Sequence, residues 1–248
     1  MDALIIAAGF GSRLRDISDS KPMTPVAGVP LLELGVRQAK AAGAARVVVV
    51  TGHEAARLEA LLPALAARAG IAVEPARVDN WSKPNGWSVI AGAERIDGNY
   101  LLMMSDHIFS APILSGLARQ GGADRGVTLA VDARITDPLI DPDDATWVER
   151  DARGFIRAIG KSIAAYDAVD CGAFLCTPEL AEAIRGAIAA GQAGSLSEGM
   201  QRLADAGRAA TWEIGGAWWL DVDDARAHQW AEAQAPQHLA EVFAAALS

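Results

Sequence analysis

Cysteine is scarce in this sequence, and its two cysteines are poorly placed to pair. Cys171 and Cys176 lie five residues apart in "DCGAFLC", a stretch that alternates like a strand. An odd spacing sends strand side chains to opposite faces, so we expect neither a disulfide nor a metal pair from them. Both are expected to be small buried side chains.

Long apolar runs and an excess of basic charge are also absent. No stretch of about 18 apolar residues occurs, and no basic segment precedes an apolar one at the N terminus. The sequence therefore predicts a cytoplasmic protein and contains no membrane segment. Lys and Arg number 22 against 31 Asp and Glu, a net charge of −9. A surface of this sign repels nucleic acid and anionic membranes, so an anionic ligand must be held by a local basic cluster.

What the chain does contain is an alternation of strand and helix patterns over its first half. At 248 residues and 51% apolar composition it is long enough for a full hydrophobic core. The predicted strands cover residues 3–7, 45–51, 71–78, 99–106 and 126–132, and the predicted helices cover residues 31–42, 54–69 and 87–95. This order predicts an α/β fold with a doubly wound, mostly parallel, Rossmann-like sheet, which binds ligands beyond the carboxyl ends of its strands.

From about residue 135 the pattern becomes richer in short strands. A hairpin is expected around "DARG", with its arms at 146–149 and 155–159. Further elements are a strand at 168–176, helices at 178–190 and 196–206, a strand end at "WWLDVDD" and a closing helix at 225–246. No linker separates the halves, so we expect one domain over residues 1–248 with a small β-rich lid or acceptor region.

The segment "LIIAAGFGSRLRDISDSKPMTPVAGVPLL" is the most informative part of the chain. A loop with Gly9 and Gly11 leaves a buried strand and is followed by Arg13, Arg15 and Lys21. Glycines allow backbone N–H groups to approach a phosphate, and the cations add charge to bind a polyphosphate. A dinucleotide fingerprint is disfavoured because Leu stands at position 14 instead of the third glycine or an alanine. Taken alone, the glycine pair also fits a simple turn.

The whole block resembles the signature of the sugar-nucleotide-forming nucleotidyltransferases, A-A-G-x-G-x-R-L followed by K-P-x-x-P-V-x-G-x-P-L-L. The resemblance implies that the glycine loop wraps a triphosphate, that Arg13 neutralises it and that Lys21 lies at the phosphate under attack. It places Ala7, Ala8, Gly9, Gly11 and Ser105 at the nucleotide. It also makes residues 1–134 the nucleotide-binding half and residues 135–248 the acceptor-binding half.

Two further motifs match the same family. "KPNGWSVIAGA" resembles its base-binding turn, with Asn85 as N-cap of a helix and Gly86 leaving room for a base edge. Asp106 in "MMSDHIF" corresponds to the family's first Mg²⁺ ligand, and Asp221 or Asp223 in "WWLDVDD" is expected to complete the metal site. Which of these two binds the metal stays open. His107 follows Asp106 on a predicted strand, where neighbouring side chains point apart, so we expect it to be structural.

Within the superfamily the chain resembles the CTP:inositol-1-phosphate cytidylyltransferase branch. "SDHIF", "DPDDATWV" and "IGKSIAAYDAVDCGAFLC" carry this resemblance. It implies that Lys161 binds the phosphate of the acceptor and that Asp170 accepts hydrogen bonds from its hydroxyls. Bifunctional members of the branch continue into a membrane-embedded alcohol phosphotransferase, a segment that these 248 residues do not contain.

The expected reaction is Mg²⁺-dependent transfer of CMP from CTP to a phosphomonoester, with inositol 1-phosphate as first choice and pyrophosphate as the leaving group. Alternatives are phosphocholine or an aminoalkylphosphonate as acceptor, UTP or dTTP with a sugar 1-phosphate, and a non-catalytic nucleotide-binding regulator. A dehydrogenase is disfavoured by the missing third glycine. A homodimer stays open, because the adjacent Trp218 and Trp219 suit either a core or an interface.

Overall fold

The computed structural model describes residues 1–14, 17–122 and 124–244. Its strands are β1 (Asp2–Ile6), β2 (Pro25–Val26), β3 (Val29–Pro30), β4 (Arg46–Thr51), β5 (Ala72–Arg77), β6 (Tyr100–Met104), β7 (His107–Phe109), β8 (Val127–Asp132), β9 (Trp147–Arg150), β10 (Ile156–Gly160), β11 (Ala168–Cys176), β12 (Ala209–Glu213) and β13 (Trp219–Asp221). The helices are α1 (Leu31–Ala41), α2 (Ala55–Ala69), α3 (Gly86–Ala93), α4 (Ala111–Ala118), α5 (Glu179–Ala189), α6 (Leu196–Asp205), α7 (Ala225–His238) and α8 (Ala240–Ala244).

The main sheet has the order β10-β9-β11-β6-β1-β4-β5, with β8 pairing with β11 and β12 with β8. β1, β4, β5 and β6 run parallel, with Leu4 opposite Val48 on one side and Leu102 on the other. β11 runs against β6, β8 and β9, and β10 runs against β9. The predicted α/β architecture with a mostly parallel sheet is confirmed. Because β11 joins β6, strands of the second half continue the sheet of the first.

Helices cover both faces of the sheet, which explains why its central strands are apolar throughout. Along β1, Leu4 and Ile6 pack into the layer that contains α3, α5 and α6, and Ala3 and Ile5 pack into the layer of α1, α2 and α4. A third cluster joins the β2–β3 hairpin to α7 through Val26 and other buried residues. The carboxyl ends of β1, β4 and β6 therefore lie at the same edge of the sheet, between the two layers of helices.

α2 illustrates how the local sequence sets an element. Its buried side chains recur at helical spacing and are those of Leu58, Leu62, Leu65 and Ala69. The helix stops at Gly70, which adopts a left-handed conformation with φ of 66° and donates its N–H to the Ala66 carbonyl. An L-residue there would be strained, so the glycine is a stop signal that sequence can reveal.

Two expectations about elements were wrong. The strand predicted to reach Asp106 ends at Met104, and the chain turns before β7 pairs with β13. The closing helix predicted for residues 225–246 is broken at Leu239, whose buried side chain packs into the third cluster. The break directs α8 toward α1, where Arg37 donates a hydrogen bond of 3.1 Å to the Val242 carbonyl. Residues 245 and 246 lie outside the described residues. No helix in the described ranges is both long enough and apolar enough to cross a membrane.

Candidate active site

Four aspartates converge near the carboxyl ends of the strands. Asp106 follows β6, Asp221 ends β13, Asp223 lies two residues further on, and Asp144 belongs to the loop that precedes β9. Carboxylate oxygens of Asp144, Asp221 and Asp223 lie within 4.8 Å of one another. Asp106, His107 and Asp221 form an overlapping group at the same spacing. The three aspartates singled out in the sequence are therefore brought together, and Asp144 joins them as a residue that sequence reasoning did not assign.

Lys21 forms an ion pair with the first of these aspartates. Its Nζ lies 2.5 Å from Asp106 Oδ2, and both side chains are largely buried. A Cβ at Gly11, whose φ is +61°, would collide with the Lys21 side chain, so the glycine serves both the turn and the close packing of the lysine. Burial raises the pKa of Asp106, but the charges of Lys21 and His107 outweigh it and hold that pKa well below its usual range. The site thus contains an ionised carboxylate beside an ammonium group.

Arg13 is bound by two carboxylates from the second half of the chain. Nη2 lies 2.7 Å from Asp144 Oδ2, and Nη1 lies 2.7 Å from Asp223 Oδ2. Half of the Arg13 side chain is still exposed, at 51%. Asp144 also accepts a hydrogen bond from Lys161 Nζ. Burial pushes the pKa of Asp144 upward, but Lys161 and Arg13 together lower it to about 2.

His107 does not point away from Asp106, contrary to the expectation. Its Nδ1 lies 2.8 Å from Asp106 Oδ1 and 3.6 Å from Asp221 Oδ1. The expectation was wrong because Asp106 lies in a turn and not in a strand, so side chains do not alternate there. The imidazole stacks on Trp219 at 5.9 Å and packs against Gly172, where a Cβ would collide with the ring. Burial lowers the pKa of His107, but Asp221, Asp106 and Asp170 raise it to about 9.

The donor set of this cluster fits a divalent cation. Burial and the nearby Asp106 carboxylate raise the pKa of Asp221 to about 7 against the opposing effect of His107. Its buried Oδ1 accepts no hydrogen bond from the described residues. Burial likewise raises the pKa of Asp223. A hard cation such as Mg²⁺ prefers closely spaced carboxylate oxygens, and here one of them has no hydrogen-bond donor among the described residues. Asp106, Asp221 and Asp223 could hold such a cation.

A cavity of about 410 Å³ connects these aspartates to the predicted acceptor residues. Lys161 and Asp170 both line it, together with Asp106, Asp221 and Asp223. Asp170 Oδ1 accepts a hydrogen bond of 2.7 Å from the Gly172 N–H. Burial raises the pKa of Asp170 to about 6, although the Gly172 N–H and His107 act in the opposite direction. The cavity therefore contains a cation and a polar carboxyl group, as an acceptor with phosphate and hydroxyl groups would need.

The two residues predicted to bind the base lie at the start of α3. Asn85 occupies the N-cap position of α3, as predicted, but its side chain does not cap that helix: Oδ1 accepts a 2.9 Å hydrogen bond from the N–H of Leu196, the first residue of α6. A Cβ at Gly86 would collide with the Gly194 carbonyl oxygen. The missing side chain at Gly86 thus lets α3 pack against the turn before α6, and the contact of Asn85 and Gly86 with a base stays a prediction. Both residues connect α3 to α6, whose first turn is fixed by the reciprocal bonds of Ser195 and Glu198.

The remaining predicted nucleotide residues lie around the end of β1. Gly9 faces open space, since a Cβ there would meet no atom within 4 Å. Ala7 and Ala8 are buried, and their backbones bind β4 and the residues after it through Ala7 N to Val50 O and His53 N to Ala8 O. Ser105 is buried, with its N–H bonded to the Ile6 carbonyl at 3.2 Å. Arg15 lies outside the described residues.

Two residues of the candidate site were missed or misjudged in the sequence, for different reasons. Asp144 is part of "DPDDATWV", where two other aspartates precede it, and nothing local distinguishes it from them. The signal that could have found it is its place before a strand whose hairpin partner leads to Lys161. The position of His107 beside Asp106 is evident in the sequence, but its orientation depends on a turn that the strand pattern did not predict.

Comparisons with known proteins identify the family of this chain. Residues 3–163 match the model of the MobA-like NTP transferase domain. The "Bifunctional IPC transferase and DIPP synthase" of Rubrobacter xylanophilus is 35% identical over 224 residues, which cover 89% of this chain and 49% of that protein. The protein of the same name from Aquifex aeolicus is 29% identical over 89% of this chain and 48% of its own length. The chain thus spans about half the length of these curated relatives.

Solved structures show the same fold. The inositol-1-phosphate CTP transferase from T. maritima superposes with a TM-score of 0.83 and 21% identity, over 95% of this chain and 96% of the other. A putative glucose-1-phosphate thymidylyltransferase from Bacillus anthracis gives 0.78 and 18%, over 96% of each chain. With the family match over residues 3–163, these findings lead to one conclusion: the chain belongs to the MobA-like NTP transferase domain family.

Proposed function

We propose that this protein transfers CMP from CTP to a phosphomonoester, inositol 1-phosphate, and releases pyrophosphate. The observation that carries the proposal is the Lys21–Asp106 ion pair beside Asp221 and Asp223, in one cavity with Lys161 and Asp170. One site then contains positive groups that can bind phosphates, carboxylates that can bind a cation, and a carboxyl group that can bind hydroxyls. The names of the two bifunctional relatives and of the T. maritima transferase support the choice of CTP and inositol 1-phosphate.

The chemistry needs charge neutralisation more than proton transfer. A phosphomonoester has a second pKa of about 6, so its oxygen is already a nucleophile near neutral pH and no general base is required. That oxygen attacks the α-phosphorus of CTP in line, a P–O bond forms, and the bond to the β-phosphate oxygen breaks. Lys21 stabilises the charge that develops at the α-phosphate, and Arg13 binds the departing pyrophosphate.

Asp106, with Asp221 and Asp223, is proposed to hold Mg²⁺. When bound, the cation would neutralise charge on the phosphate oxygens. Lys21 and His107 keep Asp106 ionised, so it is ready to bind a cation. Lys161 binds the acceptor phosphate, and Asp170 accepts hydrogen bonds from the acceptor hydroxyls.

A substrate panel tests this function. Wild-type protein with Mg²⁺ is offered CTP, UTP, dTTP and ATP, each with inositol 1-phosphate, glucose 1-phosphate or phosphocholine, and pyrophosphate release is measured. We expect the highest kcat/KM for CTP with inositol 1-phosphate, with CTP preferred over UTP by at least about tenfold, the value of one well-placed hydrogen bond. Turnover with phosphocholine and none with inositol 1-phosphate would show that the proposed acceptor is wrong. Preference for UTP or dTTP with glucose 1-phosphate would overturn both substrates.

A further inference from the structure

An aromatic cluster lies beside the glycine loop, outside the cavity described above. Phe10, His53 and Trp81 come from the ends of three neighbouring parallel strands, β1, β4 and β5. Phe10 and Trp81 are 43% and 38% exposed, although large apolar side chains are usually buried. Their ring planes are within 13° of parallel at a centroid distance of 6.4 Å. A flat ring that lies parallel to one of them is therefore parallel to the other.

The backbone holds this cluster in place. The Phe10 and Trp81 rings both contact His53 edge-on, at 4.8 Å and 4.9 Å. The His53 N–H is bonded to the Ala8 carbonyl at 2.9 Å, which fixes its backbone against the end of β1. A Cβ at Gly52 would collide with Trp81 Cβ and Ala8, so glycine is needed there for Trp81 to pack this closely. The exposed rings are consequently part of a packed arrangement.

The two residues that the sequence assigned to the base also connect α3 to the start of α6. Asn85 Oδ1 binds Leu196 N, and the space beside Gly86 is filled by the Gly194 carbonyl. Phe10 stands between Gly9 and Gly11 in the loop proposed to bind the triphosphate. A ligand held by that loop has an exposed aromatic surface directly beside it.

The geometry points to Phe10 and Trp81 as the stacking surface for the base of the nucleoside triphosphate, with His53 supporting both rings. This inference rests on the proposed function, which supplies the nucleotide. Aromatic stacking binds every nucleobase by its π-face and does not read hydrogen-bonding groups. The surface therefore supplies affinity for the base, and the discrimination between cytosine and uracil has to come from other groups.

The test compares ligands with and without a base. Binding of CTP, UTP and inorganic tripolyphosphate, each with Mg²⁺, is measured by calorimetry for wild-type protein and for Trp81→Ala, Trp81→Phe and Phe10→Ala. Leu61→Ala, an equally exposed apolar side chain on α2, is the matched control. Thermal melting of each variant verifies that it is folded.

We expect Trp81→Ala to weaken CTP and UTP alike by about tenfold or more, since a stacked base is worth that much, and to leave tripolyphosphate binding unchanged. Phe10→Ala should act in the same direction, and Trp81→Phe should retain most of the affinity. The inference is overturned if Trp81→Ala and Phe10→Ala bind CTP as tightly as wild type. It is equally overturned if tripolyphosphate affinity falls as much as CTP affinity, because the cluster would then only support the loop.

Failure here differs from failure of the proposed function. If the wild-type protein binds no CTP, the proposed function itself is wrong. If the wild-type protein turns over CTP and inositol 1-phosphate and the variants bind CTP normally, only the inference of a stacking surface is wrong.

Discussion

Arg13 and Asp144 are 131 residues apart in the chain and are joined by a 2.7 Å ion pair beside the aspartate cluster. The second oxygen of the same carboxylate binds Lys161. One carboxylate therefore holds a cation that follows the glycine loop and the lysine proposed to bind the acceptor. We infer that Asp144 positions the two basic groups that approach the nucleotide and the acceptor.

The first prediction concerns this positioning. Asp144→Ala should lower kcat/KM for the acceptor by about tenfold, because a charge-assisted hydrogen bond that orders Lys161 is lost. Steady-state kinetics with each substrate varied measures the effect, and Asp144→Glu should restore part of it. Asp143→Ala changes an exposed acid in the same loop and serves as control. Equal kinetics for the Asp144 and Asp143 variants would show that the bridge does not position Lys161.

Removing Lys21 should affect turnover more than binding. Lys21→Ala is expected to reduce kcat by about 10²–10³, the usual effect of losing one group that stabilises developing charge. The KM for the nucleoside triphosphate should change less. Lys40→Ala is a suitable control, since Lys40 donates its hydrogen bond to the Ala69 carbonyl, away from the aspartate cluster. More than half of the wild-type kcat in Lys21→Ala would contradict the role of Lys21.

Asp106→Asn should abolish most of the divalent-metal-dependent activity. The substitution keeps the size of the side chain but removes the charge that Lys21 and His107 stabilise. Calorimetry with Mg²⁺ and the triphosphate should show weaker metal binding, and circular dichroism should show an unchanged fold. An Asn variant with wild-type metal dependence would exclude Asp106 as a ligand.

Much of this arrangement could be predicted from local sequence. β4 is recognisable from "RVVVVT", and the glycines and cations after β1 form a long contiguous motif. What could not be predicted depends on contacts between distant segments. The contact of Gly86 with the Gly194 carbonyl is not visible in the pattern around Gly86, and His107 turns toward Asp106 because β6 ends at Met104, two residues before its predicted end. The place of Asp144 in the site could not be predicted, because it depends on the contact between the loop before β9 and the glycine loop.

Asp170 provides a pH-dependent stability test. Its folded pKa of about 6 lies above an unfolded value of about 3.9, so the folded state binds more protons between these pH values. The contribution of Asp170 to stability should therefore fall as pH rises from 4 through 6. Asp170→Asn removes this penalty, and we expect it to be more stable than wild type at pH 7.5 by about 1–3 kcal/mol and equal to it near pH 4.

Denaturant unfolding of wild type and Asp170→Asn at the two pH values measures the difference. The same variant should raise KM for the acceptor more than KM for CTP, because the carboxylate is proposed to bind acceptor hydroxyls in the ground and transition states alike. A stability difference that does not depend on pH would contradict the raised pKa.

The fate of the α-phosphate of CTP tests the transfer of CMP most directly. Wild-type protein is incubated with Mg²⁺, inositol 1-phosphate and CTP labelled at either the α- or the γ-phosphate, and the products are separated and identified by mass. We predict that the α-label enters a CDP-linked inositol, that the γ-label is released as pyrophosphate, and that neither product forms without inositol 1-phosphate. Transfer of the γ-label to the acceptor, or cleavage of CTP at the same rate without acceptor, would contradict nucleotidyl transfer by this site.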